Sequence, residues 1–239
     1  MNNKHLLPMA LLLALTTTVK AATLIDIGST APSSNLILSH PLTNNAGSLA
    51  WQKSTALSRD RKLVQPFLAP GTSSDSYQLQ TFTFLNPSAT QSVNGSGFTI
   101  SLLDLTATQL GTPTTAEYQN PLFTESGTAS SFATTANDYI SISLDTPWTL
   151  TGGHYYGIAL SWGSGVTFAQ LNVQESTATT GIGNLYMSND NGSTFSSFTS
   201  SVFYLQAVPE PSVSALFILG IGAVVLRFRR NLRRRTIIS

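Results

Sequence analysis

Short stretches in which polar and apolar residues alternate recur along the middle of the chain. In residues 77–86 (YQLQTFTFLN) the alternation places bulky side chains on both faces of one extended strand. The same pattern recurs in FTISLLDL, DYISISL, HYYGIALSW and SVFYLQAV, which are separated by turn signals such as NGSG, TGG and NDNG. The sequence therefore predicts an all-β body, an antiparallel β-sandwich of the jelly-roll type. Long amphipathic helices are not predicted, although TALSRDRKLVQPF could hold one helical turn.

The N-terminal segment has a different pattern, an apolar run over residues 6–15 that follows Lys4. The sequence Val19-Lys20-Ala21 fits a signal-peptidase site, which predicts a secretory signal peptide over residues 1–21 and cleavage between Ala21 and Ala22. A buried N-terminal helix is the alternative, but the run lacks the alternation of a helix that packs on a surface.

A second apolar run, residues 213–226, lies close to the C-terminus. As a helix its fourteen residues would span about 21 Å, which is shorter than a hydrocarbon core of about 30 Å and would by itself suggest a core helix. The context favours a single transmembrane helix, because Pro209 and Pro211 precede the run and an arginine cluster follows it. The positive-inside rule then predicts that the body lies outside and the tail inside.

The order of these C-terminal elements closely resembles the PEP-CTERM sorting signal. The resemblance makes Val208, Pro209, Glu210, Pro211 and Ser212 the sorting motif and residues 213–226 the stop-transfer helix. The retention cluster would comprise Arg227, Arg229, Arg230, Arg233, Arg234 and Arg235. The resemblance implies an exosortase-type processing enzyme as partner, a transient stay in the inner membrane, and the exopolysaccharide systems of Gram-negative bacteria. A permanent single-span anchor is the alternative.

The predicted organisation is a signal peptide (residues 1–21), an extracellular β-sandwich domain (22–207) and a sorting tail (208–239). Within the body, the stretches DSYQLQTFTFLNPS, GFTISLLDLTATQLGTPT and LDTPWTLTGGHYYGIALSW resemble the choice-of-anchor R domain, over residues 35–207. This resemblance implies a fold and a route of export that uses signal peptidase and the secretion machinery. It implies no catalytic activity.

Charge is distributed unevenly and excludes one class of partner. Residues 22–208 contain four cations (Lys53, Arg59, Arg61 and Lys62) and ten acidic residues, a formal charge of −6. Such a body repels phosphate backbones, so we expect no nucleic-acid binding. The chain contains no cysteine, which excludes disulfides, cysteine zinc sites and thiol catalysis.

Candidate catalytic residues are few. After removal of the signal peptide only His40 and His154 are left, so a three-histidine metal site is excluded, and we expect His154 to be a turn or surface residue rather than a general base. The acidic residues lie mostly in turn-like contexts, which favours solvated loops over a glycosidase pair. In NDNGS an Asx turn is favoured over a calcium loop. We expect no catalytic residues, no metal and no cofactor.

Aromatic residues are the remaining candidates for ligand contact. In HYYGIALSW the alternation places Trp162 on the core face, which predicts a packing role. Trp51, in the polar context LAWQKS, is the better candidate for a ligand contact. The sequence thus predicts an exported, non-enzymatic surface or matrix protein with a structural or adhesive role. A secreted carbohydrate-active enzyme and a calcium-dependent glycan-binding protein are the alternatives.

Overall fold

Extended chain dominates the computed structural model, which describes residues 21–89, 93, 95–130, 132–177 and 179–208. These residues form fifteen strands and one short helix, α1 (Thr115–Gln119). The strands are β1 (Ala22–Asp26), β2 (Leu36–His40), β3 (Gly47–Ser54), β4 (Arg59–Asp60), β5 (Lys62–Leu68), β6 (Ser76–Asn86), β7 (Gly97–Asp104), β8 (Phe123–Ala129), β9 (Asp138–Thr151), β10 (Tyr155–Trp162), β11 (Phe168–Ser176), β12 (Tyr186–Ser188), β13 (Ser196–Ser197), β14 (Ser200–Ser201) and β15 (Phe203–Ala207). The predicted β-rich body is confirmed.

The strands of the described residues form two sheets of unequal size. The larger sheet is curled and has eleven strands in the order β13-β12-β5-β10-β7-β8-β1-β9-β6-β15-β2. The smaller sheet has four strands in the order β14-β11-β3-β4. The division differs from the eight strands of a jelly roll. One pair also departs from the antiparallel expectation, because β1 lies parallel to β8, with Ala22 opposite Gly127.

The main core lies between the two sheets and within the curl of the larger one. From β10, Tyr156, Ile158, Leu160 and Trp162 all point into this core and are at most 4% exposed, as their alternation predicts. From the smaller sheet, Leu49, Trp51, Leu171 and Val173 pack against them. Burial of apolar surface on both sheets is the main force that holds the two layers together.

Strand β6 has bulky residues at both phases of its alternation because its pairing with β9 is irregular. Leu79 is paired with Trp148 of β9, but Thr81 is paired with Ser143, so residues 144–147 of β9 bulge opposite Gln80. The Gln80 side chain satisfies this irregular backbone by donating a hydrogen bond to the Leu144 carbonyl. The bulge reverses the phase of the alternation. Both Leu79 before it and Phe84 after it therefore reach the core.

The helical turn considered for TALSRDRKLVQPF is wrong. Residues 55–58 form the turn between β3 and β4, and residues 62–68 are strand β5, which is paired with β10 and β12. Val64 and Phe67 of this segment favour extended backbone, and β5 is hydrogen-bonded to a strand on each side. Strand β5 also carries Val64 of a second apolar cluster, which Tyr118 of α1 packs against.

The predicted signal peptide before Ala21 and the tail after Val208 lie outside the described residues. Among the residues that the structure does describe, no helix has the length and apolar character needed to span a bilayer. The transmembrane helix predicted for residues 213–226 is therefore still a prediction.

Candidate functional site

The outer face of the smaller sheet carries a row of polar side chains. Phe168 of β11 lies opposite Ser54 of β3, which in turn lies opposite Arg59 of β4. In the next row Gln170 lies opposite Gln52, whose carbonyl accepts a hydrogen bond from the Arg61 backbone at 2.8 Å. Residues directly opposite on neighbouring strands point to the same face, and that face is the one opposite Trp51 and Leu171. We call this set the amide face: Gln52, Ser54, Arg59, Arg61, Phe168 and Gln170.

Hydrogen bonds connect the side chains of the amide face across all three strands. Arg59 Nη1 donates to Gln52 Oε1 at 3.2 Å, and Gln52 Nε2 donates to Gln170 Oε1 at 2.9 Å. Gln170 Nε2 then donates to Asn172 Oδ1 at 3.3 Å. Each amide is both donor and acceptor, so the chain of bonds fixes the orientation of every member. The face is thus ordered before any ligand arrives.

Phe168 provides an exposed aromatic ring at the edge of this polar face. Its side chain is 56% exposed, the highest exposure among the large hydrophobic residues described. It also borders an open cavity of about 520 Å³ between the turns that precede β7 and β11. The cavity is lined by Gly95, Ser96, Gly97, Gly163, Gly165, Val166, Thr167 and Phe168.

Lys53 anchors one wall of that cavity from the opposite face of β3. Its Nζ donates to the carbonyls of Gly163 at 2.8 Å and Ser164 at 3.3 Å. These bonds hold the turn between β10 and β11 against the smaller sheet. A ring, oriented amides and a groove together suit a ligand that has both apolar faces and hydroxyl groups.

The ligand role considered for Trp51 is wrong. Its side chain is fully buried, and its ring stacks on that of Trp162 with centroids 4.0 Å apart and planes 13° apart. Trp162, for which packing was predicted, donates from Nε1 to the Trp51 carbonyl at 3.1 Å. Sequence reasoning missed Phe168. The signal was the phase of FAQLNVQ, which groups Phe168 with Gln170 and Asn172 against Ala169 and Leu171.

His154 lies in a small polar cluster at the start of β10. Its Nε2 is 3.1 Å from Asp104 Oδ1 and 3.2 Å from Thr106 Oγ1. Burial would raise the pKa of Asp104, but the hydrogen bonds from Thr106 and His154 outweigh burial and lower it. A catalytic triad needs the acid and the hydroxyl on different ring nitrogens. Since both groups meet the same nitrogen here, the cluster lacks the triad arrangement.

Asp26 and Asp138 form a close carboxyl pair. Burial raises the pKa of Asp26, and the hydrogen bond and charge of Asp138 raise it further. Asp138 is only 4% exposed, and its own pKa is lowered because the hydrogen bonds from Thr135 outweigh its burial. Carboxyl groups in hydrogen-bonding contact are closer than the roughly 5 Å that a retaining glycosidase needs. The pair therefore lacks the spacing of a glycosidase.

The other polar residues considered in the sequence have structural partners. His40 is fully buried, with Nδ1 at 2.6 Å from the Ser201 carbonyl and Nε2 at 2.9 Å from the Thr177 carbonyl. Asp190 closes the NDNGS turn by accepting from Thr194, and these bonds lower the pKa of Asp190 to about 2. Within the described part of the chain, no group of three or more His, Asp or Glu side chains is placed to hold a metal ion.

The two predicted processing sites flank the described body. Ala22 begins β1 and is 1% exposed, directly after Ala21. At the other end, the backbone N–H of Val208 donates to the Gln78 carbonyl at 3.0 Å. The rest of the sorting motif, from Pro209 to Ser212, and the six arginines of the retention cluster lie outside the described residues.

Comparison with known proteins identifies the tail. The model of the PEP-CTERM protein-sorting motif matches residues 207–235. No curated protein matches the chain. The resemblance of residues 35–207 to the choice-of-anchor R domain is still a prediction.

Two solved structures are similar to the body. One is the clostridial cysteine protease Cwp84 C116A after propeptide cleavage, with 13% identity, a TM-score of 0.42, and coverage of 75% of this chain and 42% of that one. The other contains the cysteine protease and lectin-like domains of Cwp84, a surface layer associated protein of Clostridium difficile. It has 10% identity, a TM-score of 0.37, and coverage of 75% and 37%. The chain spans less than half the length of either protein.

Proposed function

We propose that this protein, which a PEP-CTERM motif marks as an exported surface protein sorted by an exosortase, is a non-enzymatic structural or adhesive component that contacts extracellular polysaccharide. It acts at the surface or in the matrix of a Gram-negative bacterium. The amide face is the contact surface, and the exposed ring of Phe168 at its edge is the principal contact.

The route to the surface follows from the two ends of the chain. Signal peptidase removes residues 1–21, which leaves Ala22 at the start of β1. The apolar segment 213–226 then holds the precursor in the inner membrane, with the retention cluster on the cytoplasmic side. The exosortase reads Pro209, Glu210 and Pro211 and releases the body from this tail.

The observation that carries the contact with polysaccharide is an exposed ring beside an ordered row of amides. An aromatic ring 56% exposed on a polar sheet face offers the apolar surface on which the C–H face of a sugar packs. The half-buried amide of Gln170 offers donors and acceptors for hydroxyl groups, and the buried amide of Gln52 holds it in place. Because these groups are held by one another, little entropy is lost when a ligand binds.

A binding role has more support than catalysis. The Asp26–Asp138 pair is too close for glycoside hydrolysis, and the His154 cluster lacks the geometry of a triad. A carbohydrate-active enzyme is accordingly the weaker hypothesis. A calcium-dependent glycan-binding protein is also weaker, because Asp190 of the NDNGS turn accepts hydrogen bonds from Thr194.

Sorting is tested by Glu210→Ala in a host that has the processing enzyme. We expect normal export but accumulation of the unprocessed chain in the inner membrane, and Thr180→Ala, at an exposed turn residue of the body, serves as the control. Mass spectrometry of the surface protein should find no peptides from residues 227–239 in the wild type. Unchanged processing of the Glu210 variant would show that the triplet is not what the enzyme reads.

Glycan contact is tested on a glycan array with wild-type protein, Phe168→Ala and Leu122→Ala. Leu122 is the matched control because it is 46% exposed but adjoins the far end of the β7–β8 pair, where Leu102 meets Phe123. We expect the Phe168 variant alone to lose binding, by roughly tenfold, as for a contact worth about 1–1.5 kcal/mol. Equal binding by all three proteins would refute the role of the amide face.

A further inference from the structure

The cations of the body are concentrated at one place in the fold. Residues 53–62 hold all four lysines and arginines of residues 22–208 together with a single acid, Asp60. This decapeptide therefore carries a formal charge of +3 within a body whose total is −6. It comprises the end of β3, the turn, β4 and the start of β5, which places the positive charge on and next to the amide face.

Two of these four cations, Lys53 and Lys62, form ion pairs within the body. Asp60 Oδ2 is 3.0 Å from Lys62 Nζ and 3.8 Å from Lys53 Nζ. Both lysine side chains are largely buried, at 9% and 12% exposure, and Lys53 also donates to the turn at Gly163. The one acid of the segment is thus already shared between two ammonium groups.

The other two cations, Arg59 and Arg61, share the outward face without an acidic partner. Arg59 is exposed and donates to the uncharged Gln52, and within the described part of the chain neither guanidinium has an ion-pair partner. They also repel each other: burial and then the charge of Arg59 lower the pKa of Arg61. Repulsion between two like charges without a counter-charge raises the free energy of the folded protein. An anionic ligand would remove this repulsion.

We propose that the amide face binds an acidic polysaccharide, with Arg59 and Arg61 taking the carboxylates of uronic acid residues. This inference rests on the proposed function and specifies its ligand class. A guanidinium presents a planar fork of donors that matches a carboxylate, with two parallel hydrogen bonds. Gln170 takes hydroxyl groups between the guanidiniums and the Phe168 ring, and buried Gln52 orients the Gln170 amide. From β11 to β4 the face spans two strand spacings, roughly 10 Å, which suits a segment of chain rather than one sugar.

A second copy of this chain is the competing occupant, since the rest of the body is acidic. The amide face favours the polysaccharide because it combines a row of neutral amides with one exposed ring at its edge. A protein interface built on charge alone would not need the exposed Phe168 on the same face as the arginines.

The experiment uses affinity electrophoresis of the full-length chain in one mild detergent. It measures how far the chain is retarded in gels that contain polygalacturonate, alginate or neutral dextran. The variants are Phe168→Ala, Arg59→Gln/Arg61→Gln, Arg59→Lys/Arg61→Lys, and the glutamine pair combined with Asp75→Asn and Asp190→Asn. The last variant restores the net charge but not the local charge. The amides that replace the carboxylates keep an acceptor oxygen for Thr72 and Thr194. The tail arginines contribute equally to every variant.

We expect the wild type to be retarded by both uronate polymers and the glutamine pair to bind at least tenfold more weakly, with or without restored net charge. The lysine pair should be intermediate, because it keeps the charge but loses the fork. Binding should weaken as NaCl rises from 50 to 500 mM.

Three results would overturn the inference. Retardation by dextran that depends on Phe168 but not on the arginines would leave the proposed glycan contact standing and reject the acidic class. No retardation by any polymer would reject both. Salt-sensitive self-association in sedimentation, lost in the glutamine pair and without retardation by uronates, would assign the face to a second copy. Circular dichroism checks that each variant is folded.

Discussion

At the scale of single residues, the environment of a side chain depends on which face of its strand is covered. Trp51 and Phe168 both occur among polar neighbours in the sequence, and both belong to strands of the smaller sheet. Trp51 faces the larger sheet and is fully buried, whereas Phe168 faces outward and is 56% exposed. Alternation gives the relative phase of residues on one strand, but where both faces mix polar and apolar residues, as in β3, it cannot say which phase is inside.

Asp26 and Asp138 show the same limit for charged residues. They are 112 positions apart, and only the pairing of β1 with β9 brings the two carboxyl groups together. The raised pKa of Asp26 means that the folded protein holds a proton that the unfolded chain releases at lower pH. This contribution to stability is complete below the ordinary pKa of an aspartate and is lost as the pH rises through the raised value.

We therefore predict that Asp26→Asn stabilises the protein at pH 7 but not at pH 4. The amide would keep an acceptor for the Gly28 N–H and donate a hydrogen bond to Asp138 at every pH, a gain of about 0.5–1.5 kcal/mol at pH 7. Urea denaturation at both values measures the difference. Asp138→Asn is the control and should destabilise at pH 7, since it weakens the bonds from Thr135. A gain for Asp26→Asn that is equal at both pH values would contradict the argument.

At the scale of elements, the parallel pairing of β1 with β8 could not be foreseen. Parallel strands lie far apart in the chain, and no local turn specifies their register. Gly127 makes the pairing possible, because a Cβ atom there would lie 1.9 Å from the Ala22 carbonyl oxygen. The bulge of β9 opposite Gln80 is likewise a product of pairing between distant strands.

Gly127→Ala should destabilise the fold by about 1–3 kcal/mol, because the new methyl group meets the backbone of β1 and forces the strands apart. The comparison is Gly97→Ala on neighbouring β7, where the nearest atom to a built Cβ is 3.9 Å away. Thermal denaturation of the two variants measures the contrast. If both melt at the same temperature, the close approach at Gly127 does not determine this pairing.

At the scale of the whole molecule, the folded body extends to the edge of the sorting motif. Ala207 donates to the Asn35 carbonyl at 2.8 Å and Val208 to the Gln78 carbonyl at 3.0 Å. Pro209 follows at once. Residues 208–212 can span at most about 18 Å when extended, so the transmembrane helix predicted for residues 213–226 would hold the end of β15 near the bilayer before processing.

We predict that a flexible Gly-Ser insertion between Val208 and Pro209 speeds processing, because the enzyme then reaches the triplet without opening the end of β15. Insertions of five and ten residues should shorten the half-life of the precursor progressively in a pulse-chase experiment. A half-life that is unchanged or longer would mean that the enzyme acts on the motif in its native position beside the body.

The sequence by itself determined the β-rich class of the body, the inward phase of β10 and the sorting motif of the tail. Each of these depends on residues close together in the chain: an alternation with a period of two, or a linear motif of unlike parts. The tertiary structure alone decided the two unequal sheets, the burial of Trp51, the exposure of Phe168 and the gathering of the amide face from β3, β4 and β11. The physical reason is that burial and hydrogen bonding across strands depend on pairings between residues that lie far apart in the chain.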